Sequence, residues 1–136
     1  MIAVEVSYRE AVVDEPEWVD IGPPYYAEFQ MPVLTLEETV AEKLRTLLQR
    51  LRPTDLSDLA LILRDHGDQL DQGHVRGLAV AKFALVKQGD RRGRLEANVE
   101  AMRATYGHTM PGLAPDAPSF TDAQKLVGDA LPALLP

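Results

Sequence analysis

The chain of 136 residues contains no cysteine, which removes disulfide scaffolds, thiolate zinc sites and cysteine nucleophiles and fits a reducing compartment. Long apolar runs are also missing. No stretch approaches the roughly 18 residues of a membrane span, and the first ten residues, MIAVEVSYRE, have no basic segment leading into an apolar one. A cytoplasmic, membrane-free protein is therefore expected. Positive charge is scarce, with 14 Lys and Arg against 21 Asp and Glu and a net charge of −7. A non-specific grip on phosphate backbones needs dense positive charge, so DNA binding is not the expected role. The one basic cluster, Arg91 to Arg94 (RRGR), reads as a solvated helix start rather than a nucleic-acid-binding helix. His66, His74 and His108 are too dispersed for metal-ligand spacing and read as surface or cap residues.

What is present is a 46% hydrophobic, 26% charged chain, enough for one domain, or part of one, with a buried core. Ile2, Val4, Val6 and Tyr8 alternate with Ala3, Glu5, Ser7 and Arg9, the period-two pattern of a strand with one buried face. Residues 14 to 30 carry Pro16, Gly22, Pro23 and Pro24 between Trp18, Tyr25, Tyr26 and Phe29, which suits a long loop pinned by aromatic packing. A second short strand is expected at Met31 to Leu34. Thr35, with Glu38 completing a capping box, predicts a helix from Leu36 to about Arg50, broken by Pro53. Further helices are expected from Thr54 to His66 with Gly67 as a left-handed cap, from Gly73 to Gln88, from Arg91 to Tyr106, and from a Thr121 cap toward Leu135. The proline-rich stretch from His108 to Ser119 reads as an extended linker. The fold class is then α+β, with short N-terminal strands (residues 1–34) followed by a bundle of about five helices (residues 35–136). Two short strands do not make a stable sheet, so they must add to a sheet carried elsewhere or lie on the helices.

The helix pair around Pro53 carries the charges of interest. Leu36, Val40, Leu44, Leu47, Leu48 and Leu51 form one apolar stripe, and Lys43 and Arg50, seven residues apart, lie on its edge, whereas Arg45 lies opposite. On the next helix Asp55 falls in line with Leu59 and Ile62, and Asp58 falls between Leu61 and Ile62. Two readings follow. Asp near a helix start satisfies free amides, and hairpin helices often exchange salt bridges. Alternatively, Lys43 and Arg50 hold a phosphate while an Asp accepts a proton or orients the lysine. Spacing does not separate them.

The run VLTLEETVAEKLRTLLQRLRPTDLSDLALIL resembles the second half of the AbiEii/AbiGii family of nucleotidyltransferases, toxins of type IV toxin–antitoxin and abortive-infection systems. Ala41, Glu42, Lys43 and Leu44 match that family's A-E-K-L helix, Arg50 its following Arg, and Arg52, Asp55, Asp58 and Leu59 its R-x-R-D-x-Y-D-L motif. The likeness extends back through VEVSYRE and forward to SFTDAQKLVGDAL. Thr54 stands where the family usually has Arg, and Ser57 where it usually has Tyr. The family's Gly-Gly or Gly-Ser turn and D-x-D strand pair are absent from the chain.

The resemblance implies the second half of a nucleotidyltransferase-like fold that uses an NTP and Mg²⁺ for phage defence. It assigns Lys43 and Arg50 to the nucleotide, Lys43, Asp55 and Asp58 to catalysis, and Glu5, in the triplet Val4-Glu5-Val6, to the metal. Such transfer relies on magnesium held by at least two carboxylates, so the chain is expected to be a truncated, incomplete toxin, inactive alone. The partners this implies are an antitoxin or the complementary half-enzyme, with an RNA acceptor. The alternative is a non-catalytic partner-binding module derived from the family.

Overall fold

The computed structural model describes residues 11–23, 27–84, 86 and 89–136, so the strand expected at Ile2 to Tyr8, including Glu5, and the aromatic pair Tyr25 and Tyr26 lie outside the described residues. The described chain is a two-stranded hairpin followed by six helices, an α+β arrangement. Strand β1, Glu17–Ile21, pairs antiparallel with β2, Phe29–Val33, in a register that sets Val19 opposite Met31 and Ile21 opposite Phe29. The long loop expected over residues 14 to 30 is thus corrected to a hairpin. Its signal was the alternation in EWVDI and FQMPV, which puts Val19, Ile21, Phe29, Met31 and Val33 on one face. Trp18 and Phe29 do not supply the expected aromatic pinning, being 66% and 47% exposed.

Helix α1, Leu36–Gln49, starts at Thr35, whose hydroxyl accepts the Glu38 amide at 3.2 Å. Half of the expected capping box forms. The Glu38 carboxylate turns away to Val13, Asp14 and Lys82, stronger partners than its own cap. Helix α2, Pro53–His66, places Pro53 in its first turn, where a missing amide costs nothing. Gly67 leaves α2 in a right-handed conformation (φ −60°, ψ −30°) rather than as a left-handed cap, because the chain closes a turn with Gln69 N donating to His66 O.

Helix α3, Gln72–Phe83, ends earlier than expected, and Gly89 beyond it has φ +139°. The single helix expected from Arg91 to Tyr106 is two, α4, Arg91–Ala101, and α5, Arg103–Leu113, divided at Met102. Gly107 lies inside α5. The expected extended linker is corrected likewise: α5 runs through Pro111, which costs one hydrogen bond while buried Met110 holds the segment to the core. Helix α6, Phe120–Leu134, is capped by Ser119, not Thr121, since the Ser119 hydroxyl accepts the Asp122 amide at 3.2 Å.

The six helices share one apolar core. Leu44, Leu47 and Leu48 of α1, Leu56 and Leu59 of α2, Phe83 of α3, Leu95 of α4, Tyr106 of α5 and Leu131 of α6 are almost wholly buried. Helix α1 packs against α2, α3 and α4, so it has little solvent face left. That explains Arg45, which is buried rather than set out in water; it bonds Glu42 and Gln49 along its own helix. Among the described residues, neither hairpin strand packs extensively on a helix.

Candidate functional site

Helix α1 ends at Gln49 and α2 begins at Pro53, and the short turn between them sets the first turn of α2 against the second half of α1. This brings Lys43, Arg50, Asp55 and Asp58 together. The Lys43 ammonium donates to Asp55 Oδ1 at 3.1 Å and to Asp58 Oδ2 at 2.7 Å. The Arg50 guanidinium donates Nε to Asp55 Oδ2 at 2.8 Å and Nη2 to Asp55 Oδ1 at 3.2 Å, the two-pronged geometry that carboxylates and guanidinium groups favour.

The two carboxylates differ in kind. Asp55 has a side chain only 3% exposed and both oxygens engaged by two cations, whereas the Asp58 side chain is 48% exposed. Burial alone pushes the Asp55 carboxyl up, but hydrogen bonds from Arg50 and Lys43 outweigh it and hold the group below its ordinary value. Burial would lower Lys43, yet Asp58 and then Asp55 raise it above its ordinary value. Lys43 is therefore a fixed cation at neutral pH, suited to stabilising negative charge and unsuited to accepting a proton. Its exposed flank is the Asp58 side.

A second polar cluster lies on the α3 side of α1. Lys82, 4% exposed, sits 2.7 Å from the Glu38 carboxylate, which is fully buried, and 3.8 Å from Glu42. Glu38 also accepts the amides of Val13 and Asp14, each at 2.8 Å, and Lys82 donates to Ala11 O at 2.5 Å. Asp14 accepts from the Thr35 hydroxyl at 2.9 Å and lies 2.8 Å from His74 Nε2. Burial raises the Glu38 carboxyl, but Lys82 and the two amides bring it below its ordinary value. None of this was legible from local spacing. The partners are 25, 60 and 71 residues apart, so no helical or strand period connects them.

Other expectations resolve individually. The Arg91 guanidinium lies 5.2 Å from the Phe83 ring centroid, Arg92 pairs with Glu96 at 2.9 Å, and Arg94 also has a partner, so RRGR at the start of α4 is internally engaged. His74 is at the surface, as expected, and its ring lies 2.8 Å from Asp14, an ion pair when the ring is protonated. Two apolar clefts, about 290 Å³ beside Tyr106 and Phe120 and about 310 Å³ between Leu95 and Val127, are not lined by any of the four charged groups. Among the described residues, no group of three or more His, Asp or Glu side chains is placed to hold a metal ion. No helix among them is long and apolar enough to cross a membrane.

A family model described as nucleotidyl transferase AbiEii toxin, type IV TA system, matches residues 1–128. Neither the comparison with curated proteins nor that with solved structures finds a match.

Proposed function

The chain belongs to the AbiEii family of nucleotidyl transferase toxins of type IV toxin–antitoxin systems, and on that premise we propose that Lys43 and Asp58 are the part of a transfer site that this chain carries. The observation that carries the reading is the asymmetry around Lys43, whose ammonium is shared between a buried anchor, Asp55, and a half-exposed partner, Asp58. Asp55, clamped by Arg50, holds Lys43 in place. A nucleotide phosphate oxygen takes over the hydrogen bond that Asp58 now accepts, and Lys43 then faces the negative charge that builds on the phosphates during transfer. Asp58, released from Lys43, orients or deprotonates the acceptor hydroxyl. Arg50 adds a second cation on the same edge.

Family membership also supports an NTP substrate and a divalent metal. The metal carboxylates are the weak point of this chain, which has no D-x-D and no Gly-Ser or Gly-Gly turn. Glu5 is the residue we assign to the metal by resemblance, and a second polypeptide segment supplies the rest. Purified protein with radiolabelled NTPs, magnesium and RNA should give no transfer alone and measurable transfer once a polypeptide carrying the absent motifs is added. Lys43→Ala should then cut the rate on the order of 10²-fold, the scale of losing one preorganised charge contact. Robust transfer by the unaided chain overturns the incomplete-site reading.

One observation favours a second reading. The hairpin exposes Trp18, Phe29 and Met31, apolar surface suited to a partner such as the cognate antitoxin. A pure binding module would gain stability but no transfer from its partner, and Lys43→Ala would leave that affinity nearly unchanged.

A further inference from the structure

Residues 11 to 14 cross the helical body as a strap before the chain enters β1. Three hydrogen bonds hold their backbone: Glu38 accepts the Val13 and Asp14 amides, and Lys82 donates to Ala11 O. The Asp14 side chain adds the outer fastening. It spans Thr35, the cap of α1, and His74, in the first turn of α3. The hairpin follows directly, and its strands make no extensive packing of their own on the helices. The hairpin is thus tied to the body at both ends, by the strap before β1 and by the two-residue connection from β2 into α1.

Of these fastenings, one can change charge near neutrality. His74 Nε2 lies 2.8 Å from Asp14 Oδ2, and the imidazole is 48% exposed, open to proton exchange with solvent. We propose that the Asp14–His74 bridge is a pH-sensitive latch that fastens the strap, and with it the β1–β2 hairpin, to the helical body. The charged groups facing His74 are Asp14 from the strap, Glu37 from α1 and Asp71 from the start of α3, all acidic, while Lys82 of α3 faces Asp14. Protonated His74 is favoured by its bond to Asp14, opposed by burial, and helped further by the charges of Asp14, Asp71 and Glu37, so its value is raised above 6.5. The sign follows from that direction. The latch is fully closed below 6.5 and loosens as pH rises through the raised value. Glu38 stays ionised across this range, so the alkaline state is a loosened strap rather than a detached one.

The chain contains a single tryptophan, Trp18, in β1 shortly after the latch, which supplies an intrinsic reporter. The experiment follows Trp18 fluorescence anisotropy in the full chain at low ionic strength while NMR follows the His74 ring. His74→Gln serves as the variant that keeps a donor without titrating, and far-ultraviolet circular dichroism confirms that the helices persist. The expected result is a fall in anisotropy with rising pH whose midpoint coincides with the His74 titration above 6.5, together with several-fold faster exchange of the Asp14 amide, and no such step in His74→Gln. An unchanging Trp18 signal while His74 titrates, or the same step in His74→Gln, overturns the proposal.

Discussion

Asp55 is the residue on which the charged cluster turns. It accepts from both Lys43 and Arg50 while almost wholly buried, so losing its charge strands two cations at one point. Asp55→Asn should lower stability by about 2 kcal/mol, within the range for losing a charged hydrogen-bond partner whose mates are partly exposed. Lys43→Ala should cost less, under about 1 kcal/mol, because Arg50 still satisfies Asp55 and Asp58 can turn to solvent. Urea unfolding midpoints of the two variants test this, and the reverse ranking would remove Asp55 as the anchor. Acid behaviour follows from the same carboxylates. Asp55 and Glu38 both have folded values below their ordinary 3.8 and 4.5, so each contributes stability that is present above those values and is lost as pH falls through the lower folded ones. The melting temperature should therefore begin to drop below pH 4.5 and fall further below 3.8, and Glu38→Gln should flatten that acid limb while lowering the plateau above it.

At the scale of elements, junctions matter more than interiors. Helices α1, α3, α4 and α6 each begin with a side-chain cap from Thr35, Asp71, Asp90 or Ser119, and Arg76 of α3 donates to the Pro132 and Ala133 carbonyls that end α6. The approach to α4 depends on Gly89, whose φ of +139° is a backbone conformation that side chains resist. Gly89→Ala should therefore cost about 1 kcal/mol or more although open space surrounds the position, a loss readable by thermal melting. No loss would mean that the turn relaxes without a left-handed residue.

At the scale of the molecule, the six helices of the described residues enclose one core, and among these residues the hairpin strands make no extensive contact with it. An isolated two-stranded hairpin is marginal in water. Denaturant titration should accordingly give one cooperative transition by circular dichroism, reporting the helices, and an earlier one by Trp18 fluorescence, reporting β1. Coincident curves would show the hairpin to be part of the cooperative unit. Family membership adds the wider frame of a nucleotidyl transferase toxin, within which Lys43, Asp55 and Asp58 are one coupled group to be mutated together as well as singly.

Much of this was readable from short-range pattern. The Thr35 cap located α1, and apolar periods located α2 and α6 although the caps expected for them, a left-handed Gly67 and Thr121, do not form, because a helix's start and its buried face depend on neighbours three and four residues away. The A-E-K-L and Asp55–Asp58 spacing identified the family for the same reason. Local pattern misread the hairpin, where prolines masked a five-residue alternation, and the stretch through Pro111, where core contacts outweigh one lost hydrogen bond. Burial of Arg45 and Lys82 and the meeting of Asp14 with His74 depend on how three helices crowd around α1. Charges so distant along the chain acquire partners only after the core has packed, since it is the core that sets which backbone and side-chain groups lose water together.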